Sequence, residues 1–505
     1  MGTLLWFVII YWIISVGIGL WAARRVHNTK DFALAGRSLP LYIVTATVFA
    51  TWFGSETVLG IPATFLREGM GGVIADPFGS SMCLILVGLF FARPLYRMNL
   101  LTIGDFYRNK YGRAVEVMTT LCIVISYLGW VAAQISALGL VFNVVSDGAM
   151  SQRTGMMVGA STVLIYTIWG GMWAVAITDF IQMIIIVVGM LYIGWDVSQL
   201  AGGVTHVVNH AIDAGKFASF IPPMTLAGIL GFVAAWVTMM LGSIPQQDVF
   251  QRVASSKDEK TAGRASILGG VLYFGFAFIP MFLAYSATLI DPALVERLIN
   301  GDKQAQLILP QLVLGHAPMI AQVMFFGALL SAIKSCASAT LLAPSVTFTE
   351  NILKPLFRNV GDRKLLKMMR IVVLCFTVMV TIFALNSELS IYKMVENAYK
   401  VTLVSAFVPL AFGLYWKRAN QQGALASIVF GLATWIGLEV LAPDAVCPPQ
   451  LAGLLASLAG MLVGSMLPAW VGVKAKVAPH PATPHTVGAH AHAHVPDASS
   501  QPESR

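Results

Sequence analysis

Long apolar stretches dominate this chain, and short polar loops separate them. Counting the stretches of about 18 or more mainly apolar residues predicts about thirteen membrane-spanning helices. Their predicted limits are 3–22, 40–66, 75–98, 115–144, 155–170, 172–197, 224–246, 265–290, 317–346, 369–386, 391–416, 421–442 and 450–471. The pattern therefore predicts an all-α integral membrane protein, with residues 1–472 as its transmembrane domain.

The second predicted span, Pro40–Leu66, is apolar at both ends but polar in its middle, Thr51–Thr57. Glu56 is ionisable, and Gly54 and Pro62 are poor helix formers. We expect a helix that is broken over a buried polar cavity, because non-helical backbone at membrane depth is tolerated only where protein or water lines it. The alternative is a kinked packing helix whose carboxylate reaches toward the interface.

Composition and charge support a multi-pass membrane protein. Of the 505 residues, 57% are hydrophobic and only 11% are charged, against about 25% charged residues in soluble domains. The net charge of +8 comes from basic loops, so it does not indicate nucleic-acid binding. The five cysteines form no CxxC pair, and we predict neither a disulfide framework nor a metal cluster.

The basic residues also predict the orientation. Most lysines and arginines fall in every second loop, which the positive-inside rule assigns to the cytoplasm. We therefore expect an external N-terminus and a cytoplasmic C-terminus in a plasma membrane of the bacterial inner-membrane type. Segment 3–22 lacks the flanks of a signal peptide and is predicted to be retained. Residues 473–505, rich in His, Pro and Ala, are predicted to be a disordered cytoplasmic tail.

Three ionisable residues lie inside predicted spans: Glu56, Asp179 and Lys334. Such residues are costly in a membrane and suggest function. Lys334 is more than two turns from either end of the ninth span, so it needs a carboxylate partner or loses its proton. A proton-carrying or ion-mimicking role competes with a purely structural ion pair.

Small and hydroxylated residues surround Lys334. Ser335 and Ser338 could direct hydroxyls toward a cation beside the broken backbone near Trp52, since hard cations such as Na+ favour oxygen ligands. Close packing of small residues against a neighbouring helix explains the same spacing equally well.

Aromatic residues also occur within spans. Trp52, Trp130 and Trp236 could form a cage for a quaternary ammonium group, or they could simply pack. The seventh span ends with helix-breaking residues, 242–248. Counted from the second span it begins a second group of five, which favours two inverted five-helix halves that meet at a midplane site.

Several motifs together identify a family resemblance. GRSLP (36–40), FGSETVLGIPA (53–63), YTIWGGMWAVAITDFIQ (166–182) and GSIPQQDVFQRVASS (242–256) resemble the sodium:solute symporters, over roughly residues 1–470. ATW (50–52) and IPQQDVFQRV resemble the high-affinity choline transporter branch. The resemblance implies a LeuT-like 5+5 inverted-repeat core and transport by alternating access.

The resemblance also implies an ion site. It assigns Na+ to the main-chain oxygens near Ala50, Phe53 and Ala332 and to the side chains at 335 and 336. Cys336 departs from this pattern, because a thiol is a poor ligand for Na+. Asp179 matches an acidic residue associated with sodium coupling. Coupling to Na+ therefore competes with coupling to H+ through Lys334, and the candidate ion-coupling residues are Ala50, Phe53, Asp179, Ala332, Lys334, Ser335, Cys336 and Ser338.

For the solute, Trp52 and Trp130 match aromatic residues of the choline branch, but Gln246 replaces a further aromatic residue. The missing aromatic residue argues against a tight quaternary-ammonium site, and a small amino acid, a monocarboxylate or another polar metabolite fits at least as well. The candidate substrate-binding residues are Trp52, Ser55, Glu56, Trp130, Trp236 and Gln246.

Together these features predict a symporter that imports a small organic solute, coupled to Na+ or H+. A transporter-fold sensor that binds solute without accumulating it is the alternative. We predict no enzyme activity, because the loops contain no nucleophile–base or metal constellation. We also predict no cofactor, no nucleic-acid partner and no obligatory protein partner; the expected partners are the solute and the lipid bilayer.

Overall fold

A computed structural model describes residues 2–357 and 359–468. The predicted division at residue 472 and the predicted tail lie outside the described residues. We number the main helices as follows: α1 Thr3–Ala22, α2 Leu41–Trp52, α3 Ile61–Glu68, α4 74–97, α5 Arg113–Val145, α6 Gln152–Leu200, α7 Leu226–Gly242, α8 Gln247–Ser255, α9 Glu259–Ile290, α10 Met319–Phe348, α11 Asp362–Asn386, α12 Ile391–Tyr415, α13 Gln421–Leu441 and α14 Pro449–Met466. Shorter helices connect them: Thr29–Leu34, Ile103–Tyr111, Val204–Asp213, Pro292–Leu298, Asp302–Ala305 and Ile308–His316.

Within the described chain, ten helical runs are long and apolar enough to cross a membrane, or eleven if the bent pair α7–α8 is one span. The predicted count of thirteen is not confirmed. The number of spans differs because the helix continues across two of the predicted boundaries, which joins predicted spans into single helical runs. Glu56–Arg97 is one run that covers part of the second predicted span and all but the last residue of the third. Gln152–Leu200 covers the fifth and sixth.

Gly171 separates the two halves of α6. Its φ of 47° lies in the left-handed region, which glycine adopts without the steric cost that a side chain would add. A Cβ there would lie 2.4 Å from the carbonyl oxygen of Phe32. The bend therefore requires glycine both for its backbone conformation and for close packing of the Thr29–Leu34 helix.

Helices α2 and α10 lie in the centre of the bundle. Residues 44–52 of α2 and 328–347 of α10 are all buried, and α10 packs against α5 and α6. Large apolar side chains are exposed on peripheral helices, for example Ile13 on α1 and Ile382 on α11. An apolar outer surface around a core with buried polar groups is the arrangement that a lipid environment requires.

Candidate functional site

The second predicted span breaks between α2 and α3. Helix α2 ends at Trp52, and Phe53 has non-helical dihedral angles, φ −83° and ψ 73°. The Gly54 amide donates to the Trp52 carbonyl at 3.0 Å, and the Ser55 amide donates to Gln134 Oε1 at 2.9 Å. In a continuous helix these two amides would donate to carbonyl groups in the last turn of α2. Because they donate elsewhere, those carbonyl groups are available to other partners.

The break faces the middle of α10. A Cβ on Gly54 would lie 2.9 Å from Cys336 Sγ, so the α10 turn that contains Ala332 and Cys336 lies directly beside it. Ser335 Oγ donates to Asp179 Oδ1 at 2.6 Å, and the hydroxyl of Thr47 donates to Asp179 Oδ2. The fully buried Asp179 carboxylate therefore joins α2, α6 and α10 at one place.

Ser338 and Lys334, two other predicted ion-coupling residues, do not contact the Asp179 carboxylate. Ser338 Oγ donates to the carbonyl of Ser335 at 3.1 Å, so it satisfies the helix backbone. Lys334 is fully buried, but its Nζ has no hydrogen-bond partner among the described residues. It lies 4.7 Å from the ring centroid of Trp12 and 5.6 Å from those of Tyr11 and Tyr166.

A carboxylate partner for Lys334, one of the two predicted possibilities, is therefore not present among the described residues. With 3.6 residues per turn, position 334 points away from the face that carries 332, 335 and 336. The Lys334 amino group lies over aromatic rings that belong to α1 and α6, while Asp179 interacts with hydroxyl groups. Lys334 packs α10 against α1, and it does not occupy the position beside the break.

Glu56 lies on the other side of the break and is held by two donors. Trp130 Nε1 donates to its Oε1 at 3.1 Å, and Gln134 Nε2 donates to its Oε2 at 2.7 Å. Because Gln134 also accepts from the Ser55 amide, one α5 side chain fixes both the carboxylate and the broken backbone. Glu56 is 2% exposed, so it does not reach the interface, and the alternative of an interfacial carboxylate does not apply.

Three aromatic rings surround this carboxylate region. Trp52 and Trp130 have ring centroids 5.9 Å apart, and Tyr399 of α12 lies 6.1 Å from Trp52 and 5.4 Å from Trp130. The Tyr399 hydroxyl and Ser55 Oγ are buried and have no partner within the described ranges. Unpaired buried hydroxyls are costly, and they are available here to a polar ligand.

Two predicted substrate residues lie elsewhere or are already engaged. Gln246 Nε2 donates to Ser126 at 3.0 Å and to Thr402 at 3.3 Å, so it joins α5 to α12. The ring of Trp236 packs with Phe78 and Phe232, at 5.9 and 5.4 Å, and it is not part of the group formed by Trp52, Trp130 and Tyr399.

Sequence reasoning missed two further buried carboxylates. Asp76 accepts from the Tyr273 hydroxyl at 2.6 Å, and Tyr273 also bonds Thr57 at 3.0 Å, just after the break. Asp248, at the start of α8, accepts from Tyr127 at 2.5 Å. The sequence contained a signal for Asp248, because it is the last residue of the helix-breaking segment 242–248.

A polar cleft of about 190 Å³ lies next to α3, the second half of the broken helix. Arg67 and Glu68 at the end of α3 line one wall, and Tyr392 and Glu396 of α12 line the other. Arg67 also forms an ion pair with Asp302. The cleft adjoins the same two elements, the broken helix and α12, that provide Trp52 and Tyr399.

A helical bundle with two broken helices, buried carboxylates and aromatic rings at the break defines a membrane transporter. The family model of the sodium:solute symporter family matches residues 32–431, and the chain belongs to that family. The human high affinity choline transporter 1 is 28% identical over 84% of this chain and 75% of its own length. The osmoregulated proline transporter OpuE of Bacillus subtilis (strain 168) is 25% identical, with 90% and 93% covered.

The fold is also that of a solved Na+-coupled sialic acid symporter in a substrate-bound, outward-open state. The match has a TM-score of 0.78 at 18% identity and covers 93% of this chain and 98% of that chain. The predicted all-α, LeuT-like architecture and the predicted family are confirmed. The chain is a multi-pass membrane symporter for a small solute, and the family supports Na+ as the coupling ion. Neither H+ coupling nor a sensor function finds support among these relatives.

Proposed function

We propose that this chain imports a small organic cation together with Na+. The observation that carries the proposal is the buried Glu56 carboxylate, which accepts a hydrogen bond from Trp130, a member of the ring group formed by Trp52, Trp130 and Tyr399. A carboxylate beside aromatic faces attracts a quaternary or protonated amine, because both the charge and the ring quadrupoles favour a cation. Tyr399 supplies a ring despite the glutamine at 246.

The proposed Na+ position is the gap between the break and α10. Its ligands would be the carbonyl oxygens of Ala50, Phe53 and Ala332 and the Ser335 hydroxyl. Hard oxygen donors at a helix break suit Na+, and the nearby Asp179 carboxylate adds the compensating charge. Cys336, beside Gly54, would be a weak fifth ligand, because its thiol is a poor donor to Na+.

The remaining parts of the proposal concern the membrane setting. The N-terminus lies outside and the C-terminus in the cytoplasm of a bacterial-type inner membrane, as the distribution of basic residues indicates. The cleft next to Arg67 and Tyr392 then opens outward and provides the entry path for the solute. Transport needs no enzymatic step and no cofactor besides the coupling ion.

Uptake into proteoliposomes tests the proposal. Under an inward Na+ gradient, radiolabelled choline should accumulate and radiolabelled proline should not, while a pH gradient alone should drive neither. Trp130→Phe should raise the KM for choline roughly tenfold, since it removes the indole donor to Glu56 and reduces the cation–π surface. Trp236→Phe is the matched control and should leave the KM unchanged. Accumulation of proline but not choline would contradict the organic-cation assignment.

A further inference from the structure

A buried arginine lies on the inner half of the site. Arg252 of α8 is only 2% exposed. Its Nη2 donates to the Thr51 hydroxyl at 2.7 Å, and its Nη1 donates to the Asp248 carbonyl at 3.2 Å. Its Nε has no partner within the part of the chain described. The guanidinium therefore joins the last turn of α2 to α8, next to the proposed Na+ position.

Two buried carboxylates interact electrostatically with this guanidinium: Asp179 and Asp248. Asp179 belongs to the proposed ion site through Ser335. Asp248 lies on Arg252's own helix, and its Oδ2 has no hydrogen-bond partner in the described residues. Thr51, which accepts from Arg252, lies one helical turn after Thr47, which donates to Asp179. The arginine and the ion-site carboxylate therefore contact neighbouring hydroxyl groups on one face of α2.

We propose that Arg252 is a positioning residue that weakens Na+ binding and so permits Na+ to leave. A fixed positive charge this close repels a second cation, and burial strengthens the repulsion. Arg252 also neutralises part of the negative charge of Asp179, which reduces the attraction between that carboxylate and Na+. This inference rests on the proposed Na+ site. From the sequence, Lys334 was expected to place a cation next to that site. In the structure, the cationic side chain next to it is that of Arg252.

A merely structural Arg252 would behave differently. If it served only to neutralise Asp248 and hold α8, then its removal would lower the stability of the protein without changing the affinity for Na+. If it acts on the ion, Arg252→Gln should tighten Na+ binding about tenfold or more and slow turnover.

The test is a Na+ titration of the thermal unfolding of the purified full-length protein, with K+ replacing Na+ at constant ionic strength. Arg252→Gln should reach half of its Na+-induced stabilisation at a Na+ concentration about tenfold lower than wild type. Arg252→Lys, which keeps the charge, should remain within about threefold of wild type. Arg97→Gln is the matched control, because that arginine is exposed and pairs with Glu259; its midpoint should not move.

Asp248→Asn keeps the test informative if Arg252→Gln fails to fold. Removing the carboxylate leaves the guanidinium less neutralised, so this variant should bind Na+ several-fold more weakly than wild type. An unchanged or weaker Na+ midpoint in Arg252→Gln, or an unchanged or tighter one in Asp248→Asn, would overturn the inference. A wild-type protein that shows no Na+-specific stabilisation would instead overturn the proposed Na+ site, and the inference with it.

Discussion

Gly54 makes the sharpest prediction about the helix break. A Cβ at this position would lie 2.6 Å from Glu56 Oε2 and 2.9 Å from Cys336 Sγ, about 1 Å closer than ordinary contact. Both side chains are buried, and Trp130 and Gln134 hold the Glu56 carboxylate. Gly54→Ala must therefore displace that carboxylate and separate the break from α10.

The cost follows from these contacts. Overpacking of a buried site costs about 1–3 kcal/mol, and a lost hydrogen bond to a charged group costs about 1.5–3 kcal/mol. Because the neighbouring side chains relax in part, we expect Gly54→Ala to destabilise the Na+-bound state by about 2 kcal/mol relative to the Na+-free state. This difference corresponds to roughly thirtyfold weaker Na+ binding. The assay is the same Na+ titration of thermal unfolding, with K+ as the replacement ion.

Gly327→Ala is the matched control for this prediction. It introduces the same methyl group into α10, but no atom lies within 4 Å of the added Cβ. Its Na+ midpoint should equal that of wild type. If Gly54→Ala unfolds cooperatively and binds Na+ within about twofold of wild type, then the break does not form the ion site and the argument from Gly54 is refuted.

Three further predictions concern charged groups. Asp179→Asn should weaken Na+ binding at least tenfold, because unit charges about 4 Å apart interact by about 4 kcal/mol at an effective dielectric constant of about 20; an unchanged Na+ midpoint would exclude this carboxylate from the site. Lys334→Met should leave the Na+ midpoint within about twofold, because the Lys334 amino group faces aromatic rings of α1 and α6; a large shift would place it at the ion after all. At the protein surface, the hydrogen bonds from His316 and from the Leu294 amide lower the pKa of Asp291. The stabilising effect of this carboxylate is therefore present above the unfolded-state pKa of about 3.9 and is lost as the pH falls through the lower folded-state pKa. The melting temperature of wild type should therefore fall more steeply than that of Asp291→Asn below about pH 4, and parallel curves would contradict this.

The broken helix could be predicted from local chemistry. Gly54, Glu56 and Pro62 within one apolar span are individually unfavourable in a lipid-embedded helix, so the break follows from the residues themselves. The same reasoning could not fix the number of spans. A helix that continues through Gly171 and a span divided at Phe53 cannot be distinguished by apolar length alone.

The side chains that contact the site could be identified only from the structure. Tyr399 and Gln134 lie on α12 and α5, far from the break in sequence, and no periodicity indicates that they meet Trp52 or Glu56. Arg252 looked like one more basic residue of a cytoplasmic loop, although Asp248 four residues earlier gave a helical-spacing signal. Lys334 was conspicuous in sequence, yet its face of α10 points toward α1.

If an organic cation and Na+ cross the membrane together, with the solute at Glu56 and the ion at the break between α2 and α3, then the solute must drive Na+ entry. Entry of radioactive Na+ into proteoliposomes that contain the purified protein can be measured with and without external choline. Choline should accelerate Na+ entry, and Glu56→Gln should abolish the acceleration. Na+ entry that does not respond to choline in the wild-type protein would contradict this coupling.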